Sequence, residues 1–346
     1  MRFIRRSTRP PVLAATAVAA AAVTALAALA PAVAPAGAAT VPGAASRHGH
    51  GHGHGRRHGL RPLPAPSPLS PFAPGVSGQG HWQPAGRTVA GQTAVYETTL
   101  VPPGGGTAAG IAWMDTHLLA ARLYSGSQSP GGGPYTYTAP IEPAQARTLV
   151  AAFNGGFKMP VAGGGYYTEG RAVVPLRKGA ASLVIDRNGD VALGAWGSEV
   201  KMSSKVSSVR QNLTLLVDHG RPTPLASTPN WLAWGATCGV SSCNGPGVEH
   251  QWRSGVGVTA SGALVYVSGP GLAPLQLAEL LARAGAQRAM QLDINPDWTV
   301  LATYDPPPGS PAAPANGSSL VADSVQGPAI FFAAWWARDF VTMSAR

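Results

Sequence analysis

The sequence predicts an α+β fold of mixed, mainly antiparallel sheets with a few helices, in one composite globular domain that follows a disordered N-terminal tail. Three observations predict it. Short runs rich in Val, Ile and aromatic residues, bounded by Gly, Asn, Asp or Pro, recur through residues 81–346. Helical periodicity is confined to two stretches. Residues 40–80 are so rich in His, Gly and Pro that they lack the apolar surface for a core of their own.

Residues 1–39 read as an export signal. Arg2, Arg5, Arg6 and Arg9 precede an Ala/Val/Leu stretch from Val12 to about Ala30, and Ala36-Gly-Ala38 offers a cleavage site. The Arg5-Arg6 pair leaves twin-arginine export open, and the length of the apolar run leaves an uncleaved N-terminal anchor open. No later segment is apolar for long enough to span a bilayer, so no transmembrane domain is expected after signal removal. The expected location is secreted or extracellular, with retention at the cell envelope open.

Residues 40–80 are read as a linker. Arg47 to His58 holds five histidines, mostly separated by glycine, a flexible polar spacer with weak affinity for Zn²⁺, Ni²⁺ or Cu²⁺. Arg61 to Pro74 has proline at nearly every second position and should be an extended, semi-rigid spacer.

Of 25 Lys and Arg, Arg2, Arg5, Arg6 and Arg9 lie in the leader and Arg47, Arg56, Arg57 and Arg61 in the tail, leaving 17 against 15 acids. A remainder of +2 gives no basic footprint for nucleic acid, and none is expected as a partner. Cys238 and Cys243 are the only cysteines. A local disulfide is the favoured reading for an exported chain, and a metal site the weaker one, because two thiols without nearby His leave coordination unfilled.

Strands are expected at Ala94–Leu100, Ile111–Leu123, Leu149–Phe153, Ala181–Ile185 and Val191–Ala195. Further strands are expected at Leu213–Val217, Gly255–Thr259, Ala263–Val267, Ala289–Leu292 and Ala329–Ala333. Asp186–Asp190 and Ser261-Gly262 read as hairpin turns, and His219 as the tip of another. A short helix should open at Glu142-Pro143 and run to about Val150. Pro274–Ala284 places Leu277, Leu280, Leu281 and Ala284 on one face and stops at Gly285. Ser310–Ser319 reads as a surface loop.

Chemistry concentrates in three places. Asn154-Gly-Gly-Phe157 ends an apolar strand, where glycines let another group approach the backbone. Arg253-Ser-Gly-Val-Gly257 opens a second strand, and Met290-Gln-Leu-Asp293 closes a third. Arg253 can grip phosphate oxygens bidentately, unless it is a salt-bridged arginine. Asn154 can orient a sugar or diester through its amide, unless it caps a turn. Asp293 is the first choice for a site carboxylate. Glu169 and Asp297 are further acids that could pair with it for glycosyl transfer, although a loop or turn position suits both. Lys158 adds a cation, His250 stands three residues before Arg253, and Thr299 offers a hydroxyl.

Tyr166, Tyr167, Trp231, Trp234, Trp252 and Trp298 could stack on sugar rings, with packing the commoner fate of each. Gly163–Gly165 lacks the Gly-Lys-Ser/Thr ending of a nucleotide loop and reads as a flexible loop at the mouth of the site. Outside the tail and leader only His81, His117, His219 and His250 remain, and no Gly-x-Ser-x-Gly is present, which argues against Ser-His-Asp catalysis.

In this order the three motifs resemble the phosphodiester glycosidase family, whose patterns are N-G-G-F-F, R-[ST]-A-I-G and N-L-D-G-G-G-S-[ST]-T. The resemblance covers about residues 90–335, with Lys158 and Gly255 as variants in the first two motifs. In the third, Asp293 and Thr299 match, Ile294-Asn-Pro296 replaces the glycines, and Trp298 stands where a small residue belongs.

The resemblance implies a hydrolase that cleaves a sugar-1-phosphodiester in envelope or extracellular glycans. Asp293, Asn154, Arg253 and Glu169 would be catalytic, and Gly155, Gly156, Lys158, Asp297, Trp298, Thr299 and His250 would bind substrate. No cofactor or metal is demanded, with a divalent ion on Asp293 left open. The alternative is a non-catalytic envelope-associated module that binds carbohydrate or phosphate through a degenerate site. The oligomeric state is not legible.

Overall fold

The computed structural model describes residues 61–74, 76–228, 231–235 and 249–346. The leader, the His-rich tract and both cysteines, with their expected disulfide, lie outside the described residues. In chain order the first strands are β1 (Gln83–Ala85), β2 (Val95–Leu100), β3 (Ala109–Met114), β4 (Leu119–Tyr124), β5 (Leu149–Asn154), β6 (Tyr166–Thr168), β7 (Arg171–Val174), β8 (Ala181–Asp186) and β9 (Val191–Ala195). They are followed by β10 (Val206–Gln211), β11 (Leu215–Asp218), β12 (Arg221–Pro222), β13 (Gln251–Thr259), β14 (Leu264–Leu272), β15 (Ala286–Ile294), β16 (Leu301–Tyr304), β17 (Gly317–Ser319) and β18 (Phe340–Ala345). The α-helices among the described residues are α1 (Pro143–Ala146) and α2 (Pro274–Arg283).

Every ladder between these strands is antiparallel. An eight-stranded sheet runs β1-β2-β3-β14-β13-β15-β11-β12, and two five-stranded sheets run β7-β6-β10-β8-β9 and β17-β16-β5-β18-β4. The expected α+β class with mainly antiparallel sheets is what the chain forms.

Strand periodicity explains the layering. Successive side chains of a strand point to opposite faces, and both faces of the large sheet are buried. Ala112 and Met114 on β3, with Leu264 and Tyr266 on β14, join the core shared with the smaller sheets. Ile111, Trp113, Val265 and Val267 face the other way, where α2 supplies Leu277, Leu280 and Leu281. Each such leucine contributes about 1.5–3 kcal/mol through burial, which holds a single amphipathic helix against one face.

Several expectations change. The run Ile111–Leu123 is two strands, because Asp115 turns the chain. Its Oδ1 accepts the N–H of His117 at 2.7 Å and of Leu118 at 3.3 Å. Ala329–Ala333 is a 3-10 turn over Pro328–Phe332 rather than a strand, since Pro328 supplies a pre-set φ at its start. The helix at Glu142 keeps only one turn, capped by the Gln145 side chain on Glu142 N, before the chain enters β5. Ser310–Ser319 contains a 3-10 turn and β17, which pairs with β16. Strands β6, β7, β10, β16 and β18 carry no clean apolar alternation and were not expected. The turns at Asp186–Asp190 and Ser261-Gly262 join β8 to β9 and β13 to β14 as read.

The proline-rich stretch is also not a free spacer. Leu63, Leu69 and Phe72 pack on the core beneath α2. Leu63 N donates to Asp115 Oδ2 at 2.8 Å, Leu69 N to Gly80 O at 2.9 Å, and Trp82 Nε1 to Ser67 O at 2.9 Å. Arg283 of α2 lies 4.1 Å over the Phe72 ring. Proline pre-extends the backbone, so widely spaced apolar residues suffice to lay it along the domain.

Candidate active site

The three motifs meet at one atom. Ser254 Oγ accepts from Asn154 Nδ2 at 3.0 Å and from Asp293 N at 3.2 Å, and donates to Asp293 O at 3.4 Å. The end of β5, from one five-stranded sheet, is thereby locked to β13 and β15, neighbours in the eight-stranded sheet. The Asn154 amide is fully used: its Nδ2 also donates to Gly155 O, and its Oδ1 accepts from Tyr266 OH at 2.7 Å and Val300 N at 3.1 Å. Asn154 is 1% exposed and does not line the cavity described below. It holds the scaffold and has no free donor for a sugar.

The glycines of the first motif are explained by close approach. A Cβ on Gly155 would collide with the Asp339 carboxylate, and one on Gly156 with the Asn212 amide. Asp339 is buried in a bidentate pair with Arg210, Nε to Oδ2 at 2.7 Å and Nη2 to Oδ1 at 3.2 Å. Asn212 accepts from Phe157 N at 3.0 Å and donates to the carbonyls of Gln291 and Leu292, each at 2.9 Å. A polar lattice therefore sits behind the Asn-Gly-Gly-Phe corner, satisfied on all sides.

Arg253 belongs to that lattice, not to a phosphate. Its Nε donates to Leu272 O at 2.7 Å, Nη1 to Trp234 O and Gln291 Oε1, and Nη2 to Glu249 O at 2.9 Å. It is 0% exposed, and burial lowers its pKa to about 10. The expected bidentate grip would break these bonds.

In front of the lattice opens a cavity of about 390 Å³. Its polar walls are Asp293, Asn295, Lys158 and Arg338, and Phe157, Val161, Leu213, Ile294 and Trp298 supply most of its apolar surface. Asp293 is 4% exposed; Oδ1 accepts Ile294 N at 2.8 Å and Oδ2 pairs with Arg338 Nη2. Burial pushes its carboxyl up to about 7, against the pull of Arg338. Arg338 Nη2 also donates to Gly156 O at 2.7 Å, its guanidinium lies 5.1 Å from the centre of the Trp298 ring, and its buried Nε has no partner. Trp298 leans on Trp336 at 5.2 Å between ring centres.

The third motif keeps a glycine-like backbone without glycine. Asn295 has φ +94°, in the left-handed half of the map where asparagine is among the better-tolerated side chains. Its Oδ1 accepts Asp297 N at 2.8 Å, and its carbonyl accepts Trp298 N, Thr299 N and Thr299 Oγ1. Asp297 and the buried Thr299 are thus turn residues that shape the wall without lining it.

Other expected members lie elsewhere. Glu169, exposed with φ +50°, tips the β6–β7 hairpin and accepts from Thr136 N and Tyr137 N at 2.8 and 3.1 Å. His250 is exposed beside Glu249 at 3.5 Å and does not line the cavity. Gly164 and Gly165 are wedged against Gln211 and Pro175 rather than forming a free loop. Tyr166 and Trp234 are core residues, Tyr167 and Trp252 are half-buried, and the Trp231 side chain lies outside the described residues. Of the residues expected in the site, Asp293, Lys158 and Trp298 line the cavity; Gly155, Gly156, Asn154 and Arg253 stand behind it.

Sequence reasoning missed Arg338, Asp339, Arg210, Asn212 and Ser254. One signal was available: Arg338-Asp339 is a charged pair between Trp335-Trp-Ala337 and the apolar start of β18, and charges there need partners. Among the described residues the one group with metal-ligand proximity is Glu199, Asp218 and His219. Arg288 already spans it, 2.9 Å from Asp218 and 3.2 Å from His219.

The fold and the cavity define a β-rich domain with a buried, near-neutral carboxyl and two cations around an apolar pocket. Residues 147–293 match the phosphodiester glycosidase (NAGPA) family model. The match ends at Asp293 and does not reach Arg338. No curated protein matches the chain. Among solved structures, the catalytic domain of zebrafish N-acetylglucosamine-1-phosphodiester alpha-N-acetylglucosaminidase is similar at 14% identity and TM-score 0.46, covering 77% of this chain and 88% of that one. A hypothetical protein from Synechocystis is similar at 12% identity and TM-score 0.38, over 76% of this chain and 64% of that one. Likenesses at these scores add nothing to the reading of the site.

Proposed function

We propose that the chain hydrolyses a sugar-1-phosphodiester at the bond between the anomeric carbon and the phosphate oxygen. The observation that supports this best is Asp293, buried on the cavity wall beside Arg338 with its carboxyl raised to about 7. An acid of that strength exchanges protons near neutral pH, where general acid–base catalysis is most effective. The C1–O bond breaks, water supplies the new oxygen at C1, and the phosphate leaves on its other alcohol as a monoester. Asp293 manages the proton, while Arg338 and Lys158 offset charge on the departing phosphate. This places at Arg338 the role expected of Arg253. Trp298 and Ile294 would flank the sugar. The leader expected over residues 1–39 suits a substrate in the envelope or outside the cell.

A non-catalytic binding module is the second reading, favoured by Ile294, whose side chain lines the cavity where the family carries glycine. Incubation of the full chain with a panel of hexose and N-acetylhexosamine 1-phosphodiesters, followed by assay of free sugar, separates the two. Release that falls at least 100-fold in Asp293→Asn supports the hydrolase. Glycan or phosphate binding without release supports the module.

A further inference from the structure

One wall of the cavity beside Asp293 is a continuous apolar strip. Phe157, Ala162 and Ile294 form a small buried cluster of their own, with Met159 and Leu213 packed against it. Three of these five, Ile294, Phe157 and Leu213, also line the cavity, and the strip begins at Ile294, next in the chain to Asp293. Val161, the neighbour of Ala162, lines the cavity too and is 65% exposed, so the strip runs out to the surface. Val161 N donates to Lys158 O at 3.0 Å, and this turn sets an exposed lysine beside the exposed valine at the mouth. Lys158 has no carboxylate partner among the described residues.

Leu213 is held in the strip against its own backbone preference. Its φ is +53°, in the left-handed region that a leucine rarely enters. A residue persists there only where its surroundings hold it, as at ligand sites. Leu213 N donates to Ala162 O at 2.7 Å, and Leu213 O accepts from Ala181 N at 3.0 Å. Glycine would suit this backbone better; leucine adds apolar surface to the cavity. A hydroxyl-rich group fits the strip poorly, because each hydroxyl facing it leaves water without gaining a partner. An alkyl chain has no hydrogen bonds to lose, and gains about fourfold in affinity for each methylene that leaves water. An anion at the head of that chain answers Lys158.

We propose that the alcohol half of the diester is a long-chain apolar alcohol, laid along Phe157, Leu213 and Val161 with its phosphate against Lys158. The inference rests on the phosphodiester reading and makes its substrate an amphiphile. The sugar stays beside Asp293 and Trp298. The chain leaves past Val161, so a chain longer than the cavity can remain in a lipid surface outside. On hydrolysis the C1–O bond breaks and water's hydroxyl joins C1. Water's other proton ends on the alkyl phosphomonoester, which departs along the strip.

Titration calorimetry of the full chain with n-octyl, glycerol and methyl phosphate reads the strip without hydrolysis. Octyl phosphate should bind about 30-fold more tightly than methyl phosphate, with glycerol phosphate close to methyl. Val161→Asp puts a charge on the strip at an exposed position, and Leu213→Gly removes apolar surface from it. Each should cut the octyl-to-methyl ratio by about fivefold or more. A merely structural role for either side chain would leave that ratio in place. Octyl phosphate that binds no better than methyl, a preference for glycerol, or a ratio unchanged in both variants overturns the proposal. Among diesters of a hexose 1-phosphate that the wild type cleaves, the octyl diester should exceed the methyl diester about tenfold in kcat/KM, mainly through KM. An equal or lower value for octyl overturns the proposal. If the wild type cleaves none of them, the hydrolase reading fails by itself. Tight binding of octyl phosphate that both variants weaken then still supports the strip as a site for an apolar chain with an anionic head.

Discussion

Replacing Asp293 by Asn tests the electrostatics of the cavity through stability alone, without a substrate. The carboxyl rises from 3.8 to about 7 because burial disfavours its charged form by more than Arg338 restores. A group that holds its proton more tightly folded than unfolded contributes fully at low pH. Its contribution falls as pH rises from about 4, where the unfolded chain begins to ionise, and levels off above about 7. The whole shift is worth about 4 kcal/mol, or on the order of 10 °C in melting temperature for a domain of this size. Asn keeps the shape and cannot ionise, so the variant should lack this part of the pH dependence. Glu97, which burial also raises to about 7, remains in both proteins and cancels in the comparison. The assay is calorimetric melting of both proteins from pH 4 to 8. Wild type should lose ground to Asp293→Asn steadily between pH 4 and 7, and melting curves that stay parallel over that range would refute the reasoning.

Further outcomes follow from the same contacts. Arg338→Gln removes the cation that holds the Asp293 carboxyl down, so the alkaline limb of a kcat/KM–pH profile should move upward from about 7 and activity should fall at least tenfold; an unmoved limb counts against their pairing. Arg253→Met leaves several carbonyls without their donor and should lower stability by about 3 kcal/mol in denaturant melts, whereas a raised KM at unchanged stability would restore the phosphate role. Gly155→Ala forces a methyl group into the Asp339 carboxylate and should cost about 1–3 kcal/mol as overpacking, readable in the same melts. Asn295→Gly relieves a left-handed backbone and should be neutral or stabilising, while Asn295→Val should cost more than 1 kcal/mol.

Much of the fold was legible because its code is local. Leu149–Phe153, Ala181–Ile185 and Val191–Ala195 are apolar runs between turn residues, and they form β5, β8 and β9. Strand β10 was hidden because Ser207, Ser208, Arg210 and Gln211 make it look like a loop; its Arg210 and Gln211 find buried partners only in the folded chain. The candidate site was half legible for a related reason. The motifs stand out because Asn154, Gly155, Ser254 and Arg253 must fit one another without slack, which marks a scaffold more than a binding surface. Of the groups around the cavity, Phe157 and Lys158 belong to the first motif and Asp293, Ile294, Asn295 and Trp298 to the third. Arg338, at the side of Asp293, is 45 residues further along the chain, and no local spacing links the two.

The central claim is that Asp293 is the proton-handling group of a sugar-1-phosphodiester hydrolase. The most direct measurement is free-sugar release by wild type and Asp293→Asn across pH 5–9 on a diester that the wild type cleaves. The account predicts wild-type kcat/KM falling above pH about 7, and a variant that is at least 100-fold slower with a flat profile. A variant as fast as wild type, or one that keeps the same pH dependence, would contradict it.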